Sequence, residues 1–188
     1  MSYYGGKQRI GGEIVNALPP HSVYVEAYCG GCAVLFRKGR PGVSNDHHYR
    51  EVINDKDKRI VTVYGCVQDI KLREELYERL KWTPYSRAEW EKAKEIIKEW
   101  DKYGEVDRAW GMVVKIQQSF GHILHGGWMT EVYGRNSAMS WSHWQKDLEI
   151  IFKRLEGVYI ECDEALGVMK RWDSPQTVFY CDPPYVST

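Results

Sequence analysis

Residues 177–184 leave the chain little choice of local structure. Thr177-Val178-Phe179-Tyr180-Cys181 is a β-branched, aromatic run that reads as a buried strand. Asp182 follows it, and then Pro183-Pro184. A double proline fixes φ and removes two backbone donors, so neither a helix nor a central strand continues through it. The strand therefore ends by presenting a carboxylate, at the end where open α/β sheets gather their ligands. Proline carbonyls and the ring of Tyr185 come next. An ionised acceptor, a rigid acceptor backbone and a flat π-face together suit an exocyclic amino group on a planar base. The plainer alternative is a strand-to-loop turn opened by an Asp.

A second corner lies near the N-terminus. Residues 21–27 read as a parallel strand that carries Glu26, followed by Tyr28-Cys29-Gly30-Gly31-Cys32 and a helix over 33–38. Strand, glycine turn and helix make a nucleotide-type corner. No Lys-Ser/Thr follows the glycines and the full dinucleotide fingerprint is missing, which excludes a Walker phosphate loop. A short glycine turn with an acid before it suits a cofactor without a pyrophosphate, and S-adenosylmethionine is one. Residues 52–57 read as a second strand running into Asp55 and Asp57. An acid at that tip holds ribose hydroxyls in such folds, and Asp55 or Asp57 equally serves as N-cap of the next helix. Residues 157–161 predict a third strand that delivers Asp163. Ahead of all these, Tyr4-Gly5-Gly6-Lys7 precedes an apolar helical period at Ile10, Ile14, Val15 and Leu18, stopped by Pro19-Pro20.

Taken in order, Tyr4-Gly5-Gly6-Lys7, Val25-Glu26-Ala27-Tyr28-Cys29-Gly30-Gly31-Cys32, Asn54-Asp55-Lys56-Asp57 and Asp182-Pro183-Pro184-Tyr185 resemble the motifs of Dam-type (D12 class) DNA N6-adenine methyltransferases. Ala27, Tyr28 and Cys32 depart from the Pro, Phe and Gly or Ala usual in the second motif, and each is small or isosteric enough to keep the turn. The resemblance implies an α/β fold, a Rossmann-like S-adenosylmethionine-dependent methyltransferase core over 1–68 and 143–188. It implies a helical insertion over 69–142 that recognises double-stranded DNA. Tyr4, Gly5, Gly6, Lys7, Glu26, Tyr28, Gly30, Asp55 and Asp163 would bind the cofactor, Asp55 at the ribose and Asp163 at the adenine amino group. A helix N-cap is the plainer reading of Asp163. Asp182, Pro183, Pro184 and Tyr185 would be catalytic, with methyl transfer to a flipped-out adenine. The four catalytic residues fit a cytosine amino group as well, similar tetrapeptides occur in RNA enzymes, and an inactive cofactor- or DNA-binding module is a further alternative.

The family continues past this motif, whereas only Val186-Ser187-Thr188 follow it here. A sheet ending at this strand exposes an apolar edge, which proteins normally pair or cover. The expectation is a core incomplete at its C-terminus, from a fragment or from an enzyme that a second polypeptide completes.

Between the motifs the period becomes helical. Leu72, Leu76 and Leu80 share one face, and 86–103 predicts a helix with Ser86 as N-cap, Glu89 at the capping-box position and Trp90, Ala93, Ile97 and Trp100 inside. Another helix is predicted over 106–116, and one over 144–155. Residues 122–142 break periodicity with Gly126-Gly127-Trp128 and Tyr133-Gly134-Arg135-Asn136, a long Gly-rich aromatic loop of the functional kind. Arg135 and Asn136 carry the side chains that read guanine and adenine edges. Lys and Arg total 26 and so do Asp and Glu, so any basic surface is local. Five cysteines scattered over strands and turns, with no second pair at ligand spacing, predict reduced structural thiols and no metal. No leader or membrane-length apolar run is present, which predicts a soluble, cytoplasmic protein without a membrane partner.

Overall fold

The computed structural model describes residues 7, 9–39, 49–134 and 136–184. In chain order its elements begin with α1 (Gly11–Ala17), β1 (Val23–Glu26), α2 (Ala33–Arg37), β2 (Arg50–Asn54) and α3 (Lys58–Gln68). Next come α4 (Ile70–Trp82), α5 (Arg87–Lys98), α6 (Glu105–Gln117), α7 (Ser137–Lys146) and α8 (Leu148–Arg154). The chain ends through β3 (Tyr159–Glu161), α9 (Ala165–Trp172) and β4 (Thr177–Tyr180). Two compact units emerge: one holds the described residues up to Val61 and from Gly157 onward, the other Thr62–Glu156.

The first unit is built on a four-stranded sheet of order β3-β2-β1-β4, parallel throughout. Val25 sits between Val52 and Phe179, and Ile53 lies beside Ile160. A parallel sheet needs both faces covered, and the period-two alternation of β1 shows how. Val25 and Val52 are fully buried with Val168 of α9, and Val23, Trp172 and Phe179 pack around them. Tyr24 and Glu26 turn to the opposite face, where Glu26 bonds the backbone of α2. The strand expected to be buried, β4, is half-buried along its whole length. It is an edge strand, pairing only with β1 among the described residues, so one flank of its side chains stays accessible.

The helical unit departs from the sequence expectations in three places. Ser86 caps α5 as predicted, its Oγ accepting from Ala88 N at 3.2 Å, but the reciprocal partner of Ser86 N is Gln118 Oε1, also at 3.2 Å, where Glu89 was expected. The helix predicted to reach Tyr103 ends at Lys98, a 3-10 turn spans Trp100–Lys102, and Ile96 is the buried residue where Ile97 was expected. The helix predicted over 144–155 is two helices, and the first already starts at Ser137. Thr83 explains part of that extension: its carbonyl accepts from Trp141 Nε1 at 2.7 Å and Gln145 Nε2 at 2.8 Å, so tertiary bonds fix a stretch whose own sequence reads as loop.

Helix α6 is the core of this unit, with Val106, Ala109, Trp110, Met112, Val113, Val114 and Ile116 buried. It packs closely on α5 because Gly111 has no side chain: a Cβ there would stand 3.0 Å from Ile96 Cγ2 and 3.2 Å from Ile96 Cβ. Gly111→Ala is therefore expected to destabilise by about 1–2 kcal/mol, since overpacking outweighs the helical propensity gained. Combined with Ile96→Ala, the loss should be less than additive in thermal or urea melts. Additive losses would show that the contact tolerates a methyl. Among the described residues, no helix is long and apolar enough to cross a membrane.

Candidate active site

Parallel strands deliver their C-terminal ends to one edge of a sheet, and here that edge collects the residues that the sequence singles out. Beyond β1 the chain turns sharply: Cys32 N bonds Cys29 O at 2.7 Å, and Cys29 N bonds Asn54 O at 2.8 Å. Gly30 (φ 45°) and Cys32 (φ 54°) are left-handed. Glycine adopts that conformation without strain, whereas Cys32 does so against its own Cβ, at the place where the resembling family carries Gly or Ala.

Glu26 is buried, and its Oε1 accepts from the Tyr24 hydroxyl at 2.8 Å and from Leu35 N at 2.5 Å. Leu35 lies in the first turn of α2, so the carboxylate satisfies an amide that the helix leaves unpaired. Burial, and then the Glu26 charge, push the Tyr24 phenol far above its ordinary value. Tyr28 is half-buried at the start of the turn.

At the tip of β2 the two acids divide the roles that the sequence left open. Asp57 accepts from Arg59 N at 3.0 Å and Arg59 Nε at 2.8 Å at the start of α3. Burial alone would raise its carboxyl, but the Arg59 bonds outweigh that and hold it below the ordinary value. Asp55 instead faces the glycine turn, Oδ2 accepting from Gly30 N and Oδ1 from Asp57 N, both at 2.9 Å. Each carboxylate oxygen has a lone pair left for a further donor.

At the tip of β3, Asp163 is exposed and held from two sides: Oδ1 accepts from Glu164 N at 2.8 Å and Oδ2 from Arg171 Nη2 at 2.9 Å. These bonds, Arg171 foremost, keep its carboxyl below the ordinary range. Arg171 also reaches Glu161 at 3.0 Å. The sequence reading missed Arg171; its position on α9, eight residues after an acid at a strand end, was the available signal.

At the tip of β4, Lys7 Nζ contacts both oxygens of Asp182, at 2.8 and 2.6 Å. The two side chains keep 20% and 25% of their exposure, so the pair is partly screened yet open to a ligand. Residues 175 apart in sequence thus join the first and last motifs. Pro183 and Pro184 are exposed beside them. Tyr4, Gly5, Gly6, Tyr185 and Arg135 lie outside the described residues. All five cysteines are free thiols; burial, then Cys32, raise the Cys29 thiol well above its usual value. Among the described residues, no group of three or more His, Cys, Asp or Glu side chains is assembled for a metal.

In the helical unit, the stretch expected as an irregular loop is closely bonded. Phe120 N reaches Gly127 O at 2.9 Å, Met129 N reaches Gln118 O at 2.9 Å and Tyr85 OH reaches Met129 O at 2.6 Å. Gly126 is required by close approach, since a Cβ there would sit 2.8 Å from Phe120 O. Asn136, expected at a base edge, caps α7, with Oδ1 accepting from Met139 N at 3.0 Å. Phe120 and Tyr133 project from this region, 66% and 92% exposed.

Lys115 anchors the loop from within. Its ammonium donates to Gly126 O at 2.8 Å and Ser119 Oγ at 3.1 Å and lies 4.2 Å from the Trp90 ring centroid. Burial, then the charge of Lys94, lower it from 10.5 to about 8. Above that value the native state gives up a proton that the unfolded chain keeps, so stability attributable to this group rises with pH until the unfolded lysine also titrates. Relative to Lys115→Met, the wild type is expected to gain about 1–2 kcal/mol between about pH 7.5 and 9.5 in denaturant melts. A pH-independent difference would show that the ammonium is not penalised by its site.

No curated protein matches the chain. The family described as D12 class N6 adenine-specific DNA methyltransferase matches it over residues 3–117, a stretch that contains Lys7, Glu26, Gly30 and Asp55 and stops short of Asp163 and Asp182. With more than half of its length matched, and its acids gathered at one edge of a parallel sheet, this chain belongs to the D12 class N6 adenine-specific DNA methyltransferase family.

Proposed function

We propose that this chain is a site-specific DNA methyltransferase that transfers a methyl group directly from S-adenosylmethionine to N6 of an adenine flipped out of the duplex. On this reading the sheet unit is a Rossmann-like methyltransferase core, and the helical region within 69–142 is an inserted subdomain that recognises the target. The observation that carries the reading is the Lys7–Asp182 pair at the tip of β4, on the edge that also holds the glycine turn, Asp55 and Asp163.

The donor set suits the cofactor. Asp55 has acceptor capacity for a ribose diol, Asp163 for an adenine amino group, and the left-handed turn at Gly30 brings backbone close to a ligand without a side chain intervening. Tyr4, Gly5, Gly6, Lys7 and Tyr28 border the same site on the sequence reading, with Glu26 behind it. Bound there, S-adenosylmethionine supplies an electrophilic methyl group on a positively charged sulfur.

Asp182 and the Pro183 carbonyl act on the other reactant. An adenine amino group is a poor nucleophile because its lone pair is delocalised into the ring. Accepting both of its hydrogens favours a pyramidal nitrogen and frees that pair. As the new C–N bond forms, positive charge grows on nitrogen, and the Asp182 carboxylate stabilises it, the inverse of an oxyanion hole. The nitrogen must shed one proton once methylated, and Asp182 is the acceptor placed for it. Lys7 donates to both oxygens of that carboxylate and holds it in place. A base inside a duplex cannot present its amino group to a strand-tip carboxylate, so the target is extruded, and Tyr185 is the ring on which it would stack.

The test is transfer of labelled methyl from S-adenosylmethionine to mixed-sequence duplex DNA, followed by nucleoside analysis. It is run on this chain alone and with the polypeptide that its source encodes immediately downstream. Label on N6-methyladenine is the expected product. Label on N4-methylcytosine or on RNA would redirect the substrate. Bound cofactor with no transfer in either assay would leave a binding module.

A further inference from the structure

Asn54, the last residue of β2, is 1% exposed and makes four hydrogen bonds to other strand ends. Its carbonyl accepts from Cys29 N at 2.8 Å, in the glycine turn after β1. Its Nδ2 donates to Ala27 O at 2.9 Å and to Asp163 O at 3.0 Å, and its Oδ1 accepts from Asp163 N at 3.0 Å. One amide side chain therefore ties the exits of β1 and β3 together across β2. Asp55, the next residue, reaches back to Gly30 N at 2.9 Å. The glycine turn, Asp55 and Asp163 are thus spaced by a single buried group.

From this geometry we infer that Asn54 is a positioning residue of the cofactor site: it fixes the distance between the glycine turn and Asp163, and so sets how tightly a nucleoside is gripped between them. The inference rests on the cofactor reading above. Its chemistry is specific to an amide. Leucine fills the volume but takes the side-chain partner from two carbonyls and one amide, the Ala27 carbonyl among them buried. Aspartate keeps the acceptor for Asp163 N but turns a charge towards the carbonyls of Ala27 and Asp163. Buried against those carbonyls, that carboxyl is displaced upward, and on protonation it regains one donor.

The experiment is equilibrium binding of labelled S-adenosylmethionine to the full chain as wild type, Asn54→Ala, Asn54→Asp and Val52→Ala, each with a thermal melt. Val52 is fully buried on the same strand and packs with Val25 and Val168, away from the strand tips, so its truncation reports a loss of stability alone. Asn54→Ala is expected to weaken cofactor binding by about 10- to 100-fold, and Val52→Ala by no more than about 2-fold. Asn54→Asp should bind weakly at about pH 8 and recover severalfold by about pH 6, while the wild type changes little over the same range. Equal affinities for Asn54→Ala and Val52→Ala, or a flat pH profile for Asn54→Asp, would overturn the inference. Should Asn54→Ala fail to fold, the pH profile of Asn54→Asp still decides. Wild-type chain that binds no cofactor would remove the cofactor reading itself and this inference with it, a failure recognisable without any variant.

Discussion

Asp182→Ala is expected to lower single-turnover methyl transfer to adenine by at least about 1,000-fold, with cofactor affinity changed by no more than a few-fold. The size follows from the role proposed for the carboxylate at the tip of β4. On the proposed mechanism it accepts from the nucleophile, faces the charge that grows on nitrogen, and takes the proton, and removing one preorganised electrostatic group of this kind costs about 100- to 1,000-fold by itself. Asp182→Asn keeps the shape and one acceptor but turns an amide towards Lys7, which stands 2.6 Å from the nearer oxygen, so a loss of about 100-fold is expected. Lys7→Ala should be milder in rate, because the carboxylate remains and loses only the ammonium that holds it in place. A loss under about 10-fold in Asp182→Ala would show that another group accepts the amino protons. Both side chains are partly exposed, so melting temperature should hardly move, and folding and chemistry separate cleanly.

Glu26→Ala should have the opposite signature. The side chain is 1% exposed and serves the Tyr24 hydroxyl and Leu35 N from one oxygen. Truncation buries a donor on the sheet and another in the first turn of α2 without that acceptor. Each such group costs about 1–3 kcal/mol, so the expected loss is about 2–5 kcal/mol, or about 5–15 °C in melting temperature for a chain of this length. Glu26→Gln retains both bonds and should cost far less. Adding Tyr24→Phe to Glu26→Ala removes one of the two stranded donors and should recover about 1 kcal/mol in a double-mutant cycle. If Glu26 met the cofactor directly, the melt would stay put and only cofactor affinity would fall. A melt unchanged in Glu26→Ala would therefore reverse the structural assignment.

Local pattern and local chemistry made much of this legible before folding was considered. The strand containing Val23–Glu26, the glycine turn after it and the acids after β2 were readable because apolar period, glycine freedom and helix capping act over a few neighbouring residues. Ser86 as N-cap was readable for the same reason. The motifs themselves, in their order along the chain, pointed to the family that the comparison over residues 3–117 then showed.

Long-range contacts decided the rest. Residue identity does not say that Glu26 turns inward to α2, nor that Asp55 meets Gly30 while Asp57 caps α3, because both acids are chemically able to do either. The order of the strands makes β4 an edge, so a run that reads as buried is half-exposed. Gln118 displaces Glu89 as the partner of Ser86, and Thr83 draws Trp141 and Gln145 into a helix, through bonds to residues far off in sequence. Arg171 escaped notice, and Asn54 stood out only as part of a motif and without a role, since neither is unusual until the ends of β2, β3 and α9 are side by side. By itself the sequence determined which carboxylates, rigid carbonyls and glycine turn this protein has, because those are properties of single residues and short turns. Only the tertiary structure decided which of them meet, because a carboxylate gains its role from the donor that the fold brings within hydrogen-bond distance, as it brings Lys7 to Asp182.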